Sequence, residues 1–414
     1  MMNRYTRAVL GAALTLTLVA SASACNDFLT VDNIGTVDAG DIDPLKDAPT
    51  LSRSSLQDFA AAYSNIVMYM GWFTGETIAT ETFQGPNDFT RRDIPDNGDV
   101  NGSIFGPLSR AIVSSGRVID VLKGTDGEGS NVDLARAELV AGYSFEYMAE
   151  QFCVGTVRSG PALDSAAMLD SAKVHFSRAI EVGQANGTAE GVKLANAALV
   201  GRARSELQAG DATSAATDAA NVPTDFEFDI EYFDDVNNRD RVSNQLWQRT
   251  FARGSISVSA GFRAFDDPRV VTVAPGDGPY TPQDGVTPFY AQTKYASYSA
   301  PIRLASKLEA DYIAAEAGGT ADQLTLIAAR RSANGLDPYS GPTDAESVLT
   351  ELMTQKSLDF FLEGKRLADF RRNGSAVLNM PVPGTPYFKA GYDPTGDDTC
   401  YPLPLAETSN NPNF

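Results

Sequence analysis

The chain has 414 residues, 53 of them acidic and 33 basic, a formal net charge of −20 and one histidine, His175. A surface that acidic repels phosphate backbones, which argues against nucleic acid as a partner. With no second histidine, no HExxH, no CxxC pair and no G-x-S-x-G, the chain points to no metal, no cofactor and no catalytic residue, and the Gly124 to Gly129 stretch lacks the Lys-Ser/Thr of a phosphate loop.

Residues 1–24 read as an export signal: Arg4 and Arg7 precede an apolar run from Ala8 to Ala20, and Ala22-Ser23-Ala24 places small residues directly before Cys25. The run is too short and too rich in Ser and Thr for a membrane span. Cys25 is the expected lipidation site, which would tether the mature chain to a membrane through its first residue; an ordinary cleaved signal with an unmodified Cys25 is the alternative. Lipidation leaves Cys153 and Cys400, an even pair in an exported chain, and a disulfide between them is expected, against two separate buried thiols.

Residues 25–49 are acidic and punctuated by Gly and Pro, an extended leader. Leu56, Phe59, Ala60, Tyr63 and Val67 share a helical face over about 51–70. A polar stretch with Phe83 and Phe89 follows Gly71-Trp72-Phe73. From residue 101 helices come in succession, over about 104–123, 134–152, 165–184, 189–208 and 212–221, separated by Gly, Asn or Asp clusters. Leu134-Ala135-x-Ala137-x-Leu139-Val140 recurs as Leu194-Ala195-x-Ala197-x-Leu199-Val200, and Ala172-x-x-x-Phe176-x-x-Ala179-Ile180 matches the second helix of tetratricopeptide repeats. Small residues at fixed spacing let helices approach closely, so an α-solenoid is expected here.

Over about 223–301 the helical period lapses. Gly, Pro, Asp and Asn rise and aromatics gather, among them Trp247, Phe262, Phe265, Tyr280, Phe289, Tyr290 and Tyr298, with short strands expected at 246–251 and 269–273. Long irregular segments often carry function, which makes this the candidate ligand region. Helices resume over 304–317 and 321–334. Asp344 then caps a long helix running to Asn373, where Asp359, Glu363, Arg366 and Asp369 follow steps of three and four residues and read as a structural ion-pair ladder. Gly364 within it points to a bend or a close backbone approach.

The fold class expected from these residues is mainly α: a tetratricopeptide-like α-solenoid half packed against an irregular, loop-rich half with a few short strands. A single domain would span 50–414, with helical repeats at about 101–222 and 303–373, the insertion at about 223–301 and an extended tail over 374–414.

Several segments carry a resemblance. Gln355-Lys356, Asp359-Phe360, Glu363-Gly364, Arg366, Asp369 and Arg371-Arg372 follow the order of a motif of the SusD/RagB family of nutrient-binding outer-membrane lipoproteins. Lys for Arg, Gln and Asp for Glu, and Phe for Leu are the departures in its first half. Asn26-Asp27-Phe28-Leu29-x-Val31, Asp266-Asp267-Pro268-Arg269, Arg303 with Glu309 and Ile313-Ala314-Ala315-Glu316-Ala317, Arg330-Arg331-x-Ala333-x-Gly335-Leu336, and Tyr401-Pro402-Leu403-Pro404-x-x-Glu407-x-x-x-Asn411-Pro412-Asn413 resemble the segments that the family carries in the same order. The resemblance implies a non-catalytic lipoprotein of the cell outer membrane, facing the exterior, that delivers an oligosaccharide or peptide ligand to a TonB-dependent SusC-like transporter. Sugar rings want an apolar π surface, and Trp72, Tyr280, Phe289 and Tyr290 are the candidate platform. A tetratricopeptide-type scaffold docking a partner protein and a surface glycosidase are the competing readings.

Overall fold

Polar caps start four successive helices of the first half. In the computed structural model, which describes residues 43–414, helix α1 (Pro44–Phe73) leads to strand β1 (Thr77–Ala79), α2 (Gln84–Arg91) and α3 (Gly106–Leu122). Asn131, Asp164, Thr188 and Asp211 then accept hydrogen bonds from first-turn amides of α4 (Val132–Gln151), α5 (Ser165–Asn186), α6 (Ala189–Gln208) and α7 (Ala212–Ala220). Each cap satisfies a donor that the helix itself leaves free, worth about 1 kcal/mol. The export signal, Cys25 and the leader through residue 42 lie outside the described residues, and the last part of the leader expected to be extended, 44–49, is instead the first turns of α1.

Residues 48–414 form one compact unit. Helices α4 to α7 pack each against the next; α8 (Lys307–Gly318) continues the stack on α7, followed by α9 (Thr320–Ala333) and α10 (Ala345–Asp359). This is the mainly α, tetratricopeptide-like half. The glycines that follow the two echoed segments allow a close approach. Phe176 of α5 is fully buried between Gly142 and Gly201, where an added Cβ would lie 2.6 and 2.4 Å from its ring.

Charge also binds the stack. Arg204 of α6 reaches Glu146 and Glu150 of α4 and Glu309 of α8, the last two at 3.3 and 3.1 Å, while Lys365 holds the second oxygen of Glu309 at 2.9 Å. Burial pushes Glu146 up to about 8, outweighing Arg204. Burial alone would raise Glu309 too, but Lys365 and Arg204 hold its carboxyl below the usual range.

In the irregular half, strands β2 (Glu227–Ile230), β3 (Ile256–Val258), β4 (Thr272–Val273), β5 (Ala291–Gln292) and β6 (Ile302–Ser306) join β1 in three antiparallel pairs, β1–β3, β2–β6 and β4–β5. The strand expected at 246–251 is helical instead. Asn244 accepts from the Trp247 amide at 3.0 Å and starts the turn Gln245–Trp247, which runs into a π-helical turn at Gln248–Ala252. The strand expected at 269–273 shortens to Thr272–Val273, and the helix expected from Leu304 begins only at Lys307 because Ile302–Ser306 pairs with β2.

The long helix expected through Asn373 breaks. Helix α10 stops at Asp359, a turn follows, and α11 (Arg366–Asn373) starts afresh. Leu362 and Gly364 take φ values of 55° and 71°, and a Cβ on Gly364 would stand 3.1 Å from Val67 of α1, so that glycine serves both a bend and a close approach. The ion-pair ladder is corrected in one respect: its acids tie this segment to neighbouring ones through ion pairs, but not to Arg366. Asp359 binds Arg330 at 2.8 Å and Arg269 at 3.0 Å, Glu363 binds Arg303 at 2.9 Å and Lys294 at 2.5 Å, and Asp369 binds Lys356 at 2.6 Å and Arg372 at 2.8 Å. Arg366 forms no salt bridge among the described residues; it donates to the Thr74 carbonyl at 3.3 Å, to Ser357 Oγ and to the Asn379 carbonyl.

Cys153, just past α4, and Cys400 are joined by a disulfide. Beside it Cys153 donates to the Tyr401 carbonyl at 3.0 Å and Tyr401 to the Gln151 carbonyl at 2.7 Å. Tyr401 is fully buried, edge-on to Phe73 and Phe89 with centroids 5.1 and 5.0 Å apart, so the C-terminal segment is stitched to the end of α4 and to α1.

Candidate ligand-binding cleft

The end of α1, the β1–β3 pair, the turn after β3 and the tail beyond α11 enclose a cleft of ≈ 390 Å³. Pairing sets it up: Ile78 lies opposite Ser257 and Thr77 opposite Val258, which carries Ser259 next to the chain end of α1, where its amide donates to the Glu76 carbonyl at 3.1 Å and its hydroxyl to the Gly75 carbonyl at 2.6 Å. Ser259 then caps the turn Ala260–Arg263 by accepting from the Phe262 amide. That turn presents Phe262 and, just after it, Phe265 to the cleft.

The rings are held from behind. Phe262 stacks on Phe361 at 5.4 Å and lies edge-on to Phe265 at 5.6 Å, with the Arg366 guanidinium 5.1 Å from its centroid. Opposite them the tail supplies Met380, Pro381, Tyr387 and Phe388. Tyr387 packs on Phe388 at 4.4 Å and fixes its own hydroxyl on Asn87 Oδ1 at 2.9 Å. Phe265 and Phe388 remain 40% and 48% exposed, so each offers ring surface to a ligand. Such rings carry a large apolar area with little rotamer freedom to lose.

Among the described residues no carboxylate and no lysine lines the cleft, and Arg366 is the one charged lining residue. Burial lowers the Arg366 pKa against the pull of Glu76 and Asp369. Since its nitrogens already serve Thr74, Ser357 and Asn379, Arg366 fastens the tail to α1 and is committed to holding the wall together. Two lining side chains, Trp72 Nε1 and Thr77 Oγ1, are buried without a hydrogen-bond partner. The arrangement suits a neutral ligand with an apolar face and hydroxyl groups, since the open rings take the first and the exposed Thr385 of the lining can meet the second, whereas Trp72 and Thr77 are sealed from solvent.

The platform of Trp72, Tyr280, Phe289 and Tyr290 is corrected. Trp72 and Phe289 are buried at 0% and 3% exposure and have no free face, because large rings gain most by entering the core. Trp72 contributes to the cleft wall nonetheless. The Tyr290 ring is covered by the Arg263 guanidinium 3.4 Å from its centroid. Tyr290 is otherwise half-buried, and Tyr280 is the most open of the four, at the end of a separate run, Tyr298, Trp247, Phe251 and Tyr280, with successive centroids 4.1, 5.7 and 4.7 Å apart. Sequence reasoning missed Phe388 altogether. The signal was there, since the Tyr387-Phe388 pair stands in a Gly/Pro-rich tail, as the insertion aromatics do in theirs.

No protein-family model matches the sequence, and no curated protein matches it. Solved structures do. A SusD superfamily protein from Parabacteroides distasonis has a TM-score of 0.66 at 14% identity over 90% of this chain and 98% of its own. A laminarin-binding SusD-like protein has a TM-score of 0.64 at 14% identity over 89% and 99%, and a chitin-binding SusD homologue from Flavobacterium johnsoniae 0.60 at 14% over 87% and 100%. The chain has the SusD-like fold over nearly its whole length.

Proposed function

We propose that this chain, built on the SusD-like fold, is a non-catalytic nutrient-binding lipoprotein of the SusD/RagB type, capturing an oligosaccharide for a TonB-dependent SusC-like transporter. The observation that carries the reading is the cleft, where the open rings of Phe265 and Phe388 stand over walls without a carboxylate. Sugar C–H faces stack on such rings, and a wall without paired acids has no general acid and base for glycoside hydrolysis. Two neighbours of the same fold are described as binding laminarin and chitin, which supports a glycan as the ligand class. The anchor rests on the sequence: lipidation of Cys25 would tether the chain to a membrane, while its place on the outer membrane, facing the exterior, rests on the family resemblance.

A panel of neutral oligosaccharides, screened by thermal stabilisation of the chain from Asn26 onward, tests the reading. A ligand at about 100 times its Kd adds about 2.7 kcal/mol of stability. The hit should be recovered unhydrolysed, and Phe265→Ala with Phe388→Ala should weaken it about tenfold or more. Hydrolysis of the bound sugar, or unchanged affinity in the double variant, refutes it.

A further inference from the structure

A surface of opposite chemistry gathers around α3. In a chain of net charge −20, a basin of ≈ 540 Å³ is lined by Arg110, Arg117, Arg158 and Arg241, with Asp58 and Glu407 as its acidic residues. Arg241 pairs with Asp58 at 3.1 Å. Among the described residues Arg110, Arg117 and Arg158 form no salt bridge and no side-chain hydrogen bond. Three guanidinium groups thus line one basin with no carboxylate paired to any of them, and like charges gathered on one surface repel one another.

The fold holds them there at a cost. Arg110 and Arg117 are two helical turns apart on one face of α3. Arg158 joins them from a turn in which two successive residues that are not glycine, Arg158 and Ser159, take φ values of 53° and 54°. Side chains other than glycine are strained there, and the conformation persists only where surrounding bonds force it. They do: Gly160 donates to the Val157 carbonyl at 2.9 Å, Asn411 Nδ2 to the Gly160 carbonyl at 2.7 Å and Asn413 Nδ2 to the Ser159 carbonyl at 2.8 Å. The guanidinium of Arg158 then lies over Gly116, where a Cβ would stand 2.6 Å from its Nη2. Ser109 Oγ, on a residue that also lines the basin, is buried and has no hydrogen-bond partner among the described residues.

We propose that this basin binds a tetrahedral oxyanion, phosphate or sulfate, either free or as the monoester end of a larger ligand. A guanidinium fork matches two oxyanion oxygens with parallel hydrogen bonds, and a dianion shared among three forks removes the repulsion that the turn otherwise sustains. The basin and the aromatic cleft share no lining residue, so this site stands or falls independently of glycan capture.

The test is calorimetric titration of the chain with inorganic phosphate and, separately, inorganic sulfate at low ionic strength, where screening is weak. Saturable binding at one site is expected, weakened at least about tenfold, or ~1.4 kcal/mol, in the Arg117→Gln/Arg158→Gln variant. Arg110→Gln, a change at an exposed helix position, gives the same readout should the double variant fail to fold. Glucose 6-phosphate binding more tightly than free phosphate assigns the oxyanion to the end of a ligand, and equal or weaker binding assigns the free ion; either supports the site. Absence of saturable heat from both anions at tens of millimolar, or equal affinity in the folded variants, overturns it.

Discussion

Replacing Gly201 by alanine should destabilise the chain, although alanine is the better helix former. Two effects oppose each other. In mid-helix, Gly→Ala gains about 1 kcal/mol of propensity. The new Cβ, however, would stand 2.4 Å from Phe176 Cζ and 2.6 Å from Cε1, over 1 Å inside an ordinary carbon contact of about 3.5–4.0 Å. The ring cannot retreat, because it is fully buried and Gly142 closes its other side, where a Cβ would lie 2.6 Å away. Overpacking of this kind costs about 1–3 kcal/mol, and a clamped ring belongs at the upper end, leaving a net loss of about 1–2 kcal/mol. Urea unfolding followed by circular dichroism reads this as a lowered midpoint at unchanged slope. Phe176→Leu in the Gly201→Ala background should recover part of the loss, with a coupling of about 1 kcal/mol in the double-mutant cycle. A Gly201→Ala variant more stable than the parent, or a cycle additive within about 0.5 kcal/mol, would refute the clamped-ring argument.

Arg204→Met leaves Glu146, Glu150 and Glu309 buried without their shared cation and should cost about 3–5 kcal/mol, read from the same denaturant midpoints. Glu146 is held near 8 when folded against an ordinary carboxylate value of about 4.3 when unfolded, so the folded chain binds the extra proton between them. Its contribution is complete below about pH 4 and is lost as pH rises through about 8; Glu146→Gln should flatten the decline in unfolding midpoint from pH 6 to 9, and an unchanged decline would count against a proton held there. Cys400→Ser opens a covalent link across 247 residues and should lose about 2–5 kcal/mol, with the parent falling to the same midpoint under reductant.

Most of the helical half was legible because its determinants are local. Capping residues such as Asp164 and Thr188 sit next to the helices they start, and the small residues that allow α4, α5 and α6 to approach recur at helical spacing. Gly364 was legible as a special position for the same reason, since one residue lacks a Cβ wherever the chain folds. The break at Asp359 was not: its charged residues keep helical spacing, and only the approach to Val67 of α1 makes the turn at Leu362 and Gly364 the better packing. Strands of two to five residues likewise carry too few side chains to signal themselves, and whether Leu246 to Phe251 pairs or coils was decided by Asn244 capping the turn. The cleft depended most on tertiary structure. Aromatic composition marked out the region, but a ring serves a core or a ligand according to which of its faces the rest of the chain covers. Trp72 and Phe289 were covered, while Phe265 and Phe388, far apart in sequence, were left open on the same cleft by the β1–β3 pair and by the hold of Arg366 on the tail.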